Sequence, residues 1–339
     1  MKIAILSPIA WRTPPKHYGP WEKVASILAE GLVKAGYDIT LFATCDSLTS
    51  GKLDAVCERP YEEDRDMDVK VWESLHISNL MEKSHNFDII HNHYDFLPLT
   101  YSRLINRPMI TTIHGFSSHK IIPVYKKYNS STTYISISNA DRHPELEYSR
   151  TIYHGIDSDK FTYHVDKEGY LLYFGRIHPH KGTLEAIEIA KKSGYPIKIA
   201  GLIQDQEYYD TKIAPQVDGD NVTYLGNVDQ ADGAQLLGKA MCLLHPIRFE
   251  EPFGLSVAES MMCGTPVIAF ARGSMPELIL HGKTGFLVHT PTEAVAAVKK
   301  LHLIDPASCR AHAMEKFSIE KMIRSYREEY DKLLSLNTP

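Results

Sequence analysis

Short apolar runs alternate along this chain with segments whose apolar residues recur every three or four positions. Residues 2–7 form one such run and read as a buried strand. Residues 21–35 carry Val24, Ile27, Leu28 and Leu32 at helical spacing and stop at Gly36. Runs at 38–43, 88–91, 109–114 and 133–136 read as further strands, with a helical stretch at 72–83 before the second of them. Strands joined by helices in this rhythm predict a parallel sheet covered on its faces.

The rhythm restarts after a polar stretch at 157–169. Strands are expected at 170–175, 197–200, 222–225, 241–245, 266–269 and 286–288, and helices at 183–193, 234–240, 256–263 and 291–303. The fold class is therefore α/β, with two doubly wound parallel-sheet units. Their expected limits are residues 1–158 and 159–318, and the terminal segment 319–339 is expected to return to the first unit as a helix. Two such units predict a cleft between them, with ligands at the carboxyl ends of the strands.

Composition narrows the chemistry. The 339 residues are 43% hydrophobic and carry a formal net charge of -5, so there is no broad basic field and no nucleic-acid partner is expected. Five scattered cysteines form no Cys-x-x-Cys and read as reduced core thiols of a cytoplasmic protein. The first strand begins at once, without a signal-peptide layout, and no apolar run approaches the roughly 20 residues of a membrane span. Peripheral contact with a lipid surface stays open.

Among seventeen histidines, the pairs His91/His93 and His178/His180 look like metal ligands but have neither a helical His-Glu-x-x-His nor a cysteine partner. Asp-x-Asp occurs at Asp64, Asp66, Asp157 and Asp218, which shows how cheap that pattern is in an acidic chain. No metal and no cofactor are expected.

Four stretches could carry chemistry. In Gly175-Arg176-Ile177-His178-Pro179-His180-Lys181-Gly182, a strand ends at a glycine and two cations follow. Two cations can neutralise a diphosphate, and an arginine can do so with two parallel bonds; the rival reading is a loop of solvated charges. In Glu250-Glu251-Pro252-Phe253-Gly254-Leu255, a glycine-bearing turn opens a helix that carries Glu259 one turn on. A helix start is a seat for an anion, and two carboxylates beside it suit a ligand with phosphates and hydroxyls. Tyr18-Gly19-Pro20-Trp21 offers a second helix start. His114 ends the run Thr111-Thr112-Ile113, where it could meet a sugar hydroxyl or serve as a satisfied structural histidine. His93 and Tyr94 end the preceding strand and, with Tyr18 and Trp21, would suit an acceptor.

The spacing of Glu251 and Glu259, the Phe253-Gly254-Leu255 turn and Gly264-Thr265-Pro266-Val267 together resemble glycosyltransferase family 4, whose members are retaining, nucleotide-sugar-dependent enzymes of the GT-B fold. Gly175-Arg176 with Lys181-Gly182, Tyr153-His154-Gly155-Ile156-Asp157 and Ala271-Arg272-Gly273-Ser274 with Glu277 fit the same family. The match is tighter in the C-terminal half. Where family members often have a second glycine after Gly19, this chain has Pro20, and where they often have asparagine it has His154.

The resemblance implies two Rossmann-like domains, the first binding the acceptor and the second the nucleotide sugar. Arg176, Lys181 and the backbone at Gly175 would hold the donor diphosphate. Glu251 with Phe253, Gly254 and Leu255 would hold the donor sugar and phosphate. Glu259 would bind the ribose, Gly19 would lie under the diphosphate, and His114 would touch the sugar near the reacting carbon. The donor expected first is UDP-glucose, then GDP-mannose. The acceptor is a hydroxyl of a saccharide, a lipid-linked saccharide or a small metabolite, in polysaccharide biosynthesis. A nucleotide-sugar epimerase of similar shape and a non-catalytic nucleotide-sugar binder are the rivals.

Overall fold

A computed structural model describes residues 1–64 and 66–336. Arg65 and the last three residues of the expected 319–339 segment lie outside the described residues. The chain divides into two compact units: Met1–Gly155 with the chain from Ile319 onward, and Ile156–Ser318.

In the first unit the strands are β1 (Lys2–Leu6), β2 (Asp38–Phe42), β3 (Lys52–Asp54), β4 (Ile89–Asn92), β5 (Met109–Ile113), β6 (Thr133–Ser136) and β7 (Tyr148–Thr151). All pair in parallel, in the order β3-β2-β1-β4-β5-β6-β7. The helices are α1 (Pro20–Lys34), α2 (Val69–Glu82) and α3 (Ile122–Tyr128). Pro20 opens α1 because its fixed φ already fits a helix and its missing N–H is one that a helix start leaves unused. The order reverses between β1 and β4, where outgoing connections diverge and leave a crevice at the carboxyl ends.

The second unit holds β8 (Leu171–Phe174), β9 (Ile197–Ala200), β10 (Val222–Tyr224), β11 (Cys242–His245), β12 (Val267–Phe270) and β13 (Gly285–Val288). They too are all parallel, ordered β10-β9-β8-β11-β12-β13, and the reversal falls between β8 and β11. Its helices are α4 (Thr183–Ser193), the single turn α5 (Gln206–Tyr208), α6 (Gln230–Lys239), α7 (Leu255–Met262), α8 (Met275–Leu278), α9 (Pro291–Val298) and α10 (Pro306–Phe317). The last helix, α11 (Ile319–Leu336), packs on α1 within the first unit. Gly31 lets the two helices close up, since a Cβ there would lie 2.4 Å from Ile323 Cδ1.

The strands with solid apolar runs fall where the pattern predicts them. Strands β3 and β7 were not predicted, because they are sheet edges with half-exposed sequences and no apolar run. The helix expected over 291–303 stops at Val298 and continues only as a 3-10 turn, Leu301–Leu303. Four cysteines are buried as expected, but Cys45 is exposed, and all five are free thiols. No described helix is long and apolar enough to cross a membrane.

Candidate functional site

In the second unit, the reversal point brings together the chain leaving β8 and the chain leaving β11. After β8 come Gly175 and Arg176, a 3-10 turn Pro179–Lys181, and Gly182 in the left-handed region (φ 75°), from which α4 starts. A Cβ on Gly182 would lie 2.0 Å from the carbonyl oxygen of Pro246. Glycine is therefore needed for the β8 loop to lie against the β11 loop.

That approach places Lys181 beside Glu251. Lys181 Nζ donates to Glu251 Oε2 at 2.6 Å, with the side chains only 15% and 11% exposed. The ammonium also sits 4.7 Å above the Phe249 ring, and His245 Nε2 lies 3.7 Å from the same carboxylate oxygen. Burial by itself favours a protonated Glu251, but the Lys181 charge and His245 outweigh it and hold the carboxyl at about 2. Glu251 is thus ionised at neutral pH and Lys181 is its counter-charge. Lys181, read from the sequence as a cation for a diphosphate, is already engaged by a carboxylate.

The turn after Glu251 is clamped from the β12 side. Ser274 N donates to Glu251 O at 2.9 Å, and Ser274 Oγ donates to Phe253 O at 2.6 Å. Gly254, also left-handed (φ 90°), opens α7, and no side chain caps that helix start. The first amides of α7 and the positive end of its dipole therefore lie at the Glu251 turn. The Phe253 ring is core, 2% exposed, so only its backbone can meet a ligand. Glu259 sits one turn into α7 and is 3% exposed. Arg176 is brought less close: its Nη1 donates to Gln204 Oε1 at 2.6 Å, on the exposed side of the β8 loop.

In the first unit, the carboxyl ends of β4 and β5 carry His93 and His114. His93 Nδ1 lies 2.9 Å from His114 Nε2. Trp21, at the start of α1, stacks on His114 with ring centres 5.6 Å apart and planes at 23°. His154 lies against His114 as well, at 5.2 Å and 31°. Burial, and then the nearness of other imidazoles, push His93 and His114 well below the ordinary histidine range. Burial takes His154 down to about 3. These rings are neutral at neutral pH. Among the described residues, no three His, Cys, Asp or Glu side chains are grouped so as to hold a metal ion.

His91 uses both nitrogens, on Tyr330 Oη at 2.7 Å and Thr112 Oγ1 at 2.8 Å. Tyr94, expected at an acceptor, packs in the hydrophobic core cluster and is 6% exposed. Tyr18 meets the edge of Trp11 at 6.4 Å. Gly19 is left-handed (φ 149°), and a Cβ there would lie 2.8 Å from Pro15 Cβ. Glu22, in the first turn of α1, accepts from Trp11 N at 3.2 Å, and burial pushes its carboxyl up to about 7 despite that donor.

Two family models divide the chain between them. The model described as Glycosyltransferase Family 4 matches residues 22–160, and that described as Glycosyl transferases group 1 matches residues 156–316. The chain belongs to these glycosyltransferases.

Relatives agree with this. The glycogen synthase of Mycobacterium tuberculosis is 23% identical over 90% of this chain and 87% of its own length. An uncharacterized glycosyltransferase of Methanocaldococcus jannaschii is 28% identical over 75% of this chain and 78% of its own. Among solved structures, the sucrose-phosphate synthase of Thermosynechococcus elongatus superposes with a TM-score of 0.81 at 18% identity, covering 99% of this chain and 100% of that one. Anabaena HepE in complex with UDP gives 0.76 at 19%, covering 98% and 100%. The fold is GT-B, and the protein is a glycosyltransferase.

The sequence of this glycosyltransferase left two site neighbours unnamed, His245 and Phe249, and offered Ser274 and His154 only as members of motifs with no role assigned. His245 was within reach, since it closes an apolar strand just as His114 does. Phe249 acts only through a folded contact with Lys181, which no local pattern announces.

Proposed function

We propose that this glycosyltransferase moves a hexose from a nucleoside-diphosphate sugar to an acceptor hydroxyl, with retention of anomeric configuration and without a metal or cofactor. The observation that carries the proposal is the buried Lys181–Glu251 pair beside the uncapped start of α7, at the reversal point of the second sheet. A diphosphate arriving there competes with Glu251 for the Lys181 ammonium. The carboxylate it displaces is then available to sugar hydroxyls. One contact thus serves both halves of the donor.

Arg176, Lys181 and the α7 amides at Gly254 and Leu255 take up the charge that grows on the leaving diphosphate. A contact that strengthens as the bond breaks raises the rate, and losing one typically costs about 2.7–4 kcal/mol of barrier. Gly175 and Gly19 give backbone room for the phosphates, and Glu259 is assigned to the ribose by family resemblance. His114 meets the sugar near the reacting carbon. The leaving phosphate oxygen accepts the proton of the attacking hydroxyl on the same face, which keeps the configuration without a carboxylate nucleophile. Tyr18, Trp21 and His93 are the proposed acceptor contacts.

HepE has been solved with UDP-glucose and a starch synthase with ADP and acarbose, which favours UDP-glucose as the donor; GDP-mannose, a mannosyl donor, is the next candidate. The test is transfer from each nucleotide sugar to a hydroxyl acceptor in EDTA, with the product anomer read by NMR. A retained anomer in EDTA supports the proposal. An inverted anomer, or activity that vanishes in EDTA and returns with a divalent cation, overturns it.

A further inference from the structure

His93 and His114 follow the neighbouring strands β4 and β5, and their contact, Nδ1 to Nε2 at 2.9 Å, holds a single proton. The other nitrogen of each ring, His93 Nε2 and His114 Nδ1, is buried and has no hydrogen-bond partner among the described residues. A neutral imidazole carries one N–H, on one nitrogen or the other. If His93 donates from Nδ1, its Nε2 is a bare acceptor and His114 carries its proton on Nδ1. If His114 donates from Nε2, its Nδ1 is the acceptor and His93 Nε2 carries the proton. The two outer nitrogens are therefore always one donor and one acceptor, and the state of one dictates the other.

The surroundings hold this pair in place. His91 is pinned by Tyr330 and Thr112, and its ring centre lies 4.1 Å from that of His93. Trp21 covers His114. Leaving a buried polar nitrogen unmatched is unfavourable, and a sugar hydroxyl bonded to it would remove that cost. Burial keeps both rings neutral, as the one-proton contact requires.

We propose that His93 and His114 form one coupled hydrogen-bonding unit, in which His93 is the positioning residue that sets the tautomer of His114, so that the outer nitrogen of His114 meets a hydroxyl of the donor sugar in a defined donor or acceptor state. The inference rests on the reading of His114 as a sugar contact. It deepens that reading by giving His93 a role through His114.

The test compares His93→Leu, which deletes the contact, with His93→Asn, whose amide can donate or accept near the Nδ1 position. Both are made in the full chain and assayed with nucleotide sugar and acceptor. His93→Leu should lower kcat about 100-fold, the scale of a misoriented group, and leave KM for the donor within about threefold. His93→Asn should recover most of that loss. Equal kcat in the two variants, or His93→Leu within about threefold of wild type, overturns the coupling. A second measurement needs no variant: in wild-type protein with 15N-labelled histidine, adding nucleotide sugar should shift both His93 Nε2 and His114 Nδ1. No shift at either overturns the proposal. His114→Ala separates the two readings, because normal activity there refutes the sugar contact itself. An inactive His114→Ala beside a fully active His93→Leu refutes only the coupling.

Discussion

Lys181 and Glu251 lie 70 residues apart in sequence, yet their charged atoms are 2.6 Å apart and both side chains are nearly closed from water. A buried pair is costly to break from one side, because the remaining charge has no partner. Lys181→Met and Glu251→Gln should each lose about 3–5 kcal/mol of stability. The double variant should lose clearly less than the sum. Chemical denaturation of the three variants measures this, and additive losses would mean that the pair is not coupled.

The same pair has a pH signature. The Glu251 carboxyl is held at about 2 against an ordinary 4.5, so its contribution is full above 4.5 and is lost as pH falls toward 2. Acid melts of Glu251→Gln should lack that part of the decline.

Buried neutral histidines act at higher pH. His76 is held down to about 4 and His154 to about 3 by burial, and His91, His93 and His114 are lowered too. In the unfolded chain these groups take protons below about 6.5, whereas in the folded chain they do not. Stability is therefore present above 6.5 and is lost as pH falls, by up to about 1.4 kcal/mol per histidine per pH unit. Melting temperature should drop steeply between pH 6.5 and 4.5. A flat profile would contradict the burial of these rings as neutral groups.

Glu22 works in the opposite sense. Its folded value of about 7 exceeds the ordinary 4.5, so its contribution is present below 4.5 and is lost as pH rises through 7. Glu22→Gln should leave stability at pH 5 nearly unchanged and raise it at pH 8. A loss at pH 8 would show that the ionised carboxylate is the form the fold prefers.

Gly182 and Gly194 flank α4 and share a left-handed backbone, at φ 75° and 77°. A side chain at Gly194 meets nothing within 4 Å, whereas one at Gly182 meets Pro246 O at 2.0 Å. Gly194→Ala should cost only the conformational penalty, about 1–2 kcal/mol. Gly182→Ala should cost more and should also weaken donor binding, because it forces the two loops of the site apart. Equal effects on both counts would refute the close approach.

The parallel sheets were legible because buried central strands need unbroken apolar runs, as in Leu171–Phe174 and Val267–Phe270. The edge strands were not, because Lys52–Asp54 and Tyr148–Thr151 bury too little to leave a pattern. Lys181, Glu251 and Gly254 could be singled out from motif spacing, since a helix start and a glycine turn are local events. The ion pair of Lys181 with Glu251 could not, because it depends on Gly182 admitting Pro246 across two loops.

Lys181 and Arg176 are proposed to hold the diphosphate of a nucleotide sugar. Isothermal titration of wild type, Lys181→Ala and Arg176→Ala with UDP, GDP and ADP and their glucose or mannose derivatives tests it most directly. Wild type should bind one base selectively, and each variant, still folded, should bind it at least about tenfold more weakly, a change of roughly 1.4 kcal/mol. Wild-type affinity in both variants, or no binding of any nucleotide by wild type, would contradict it.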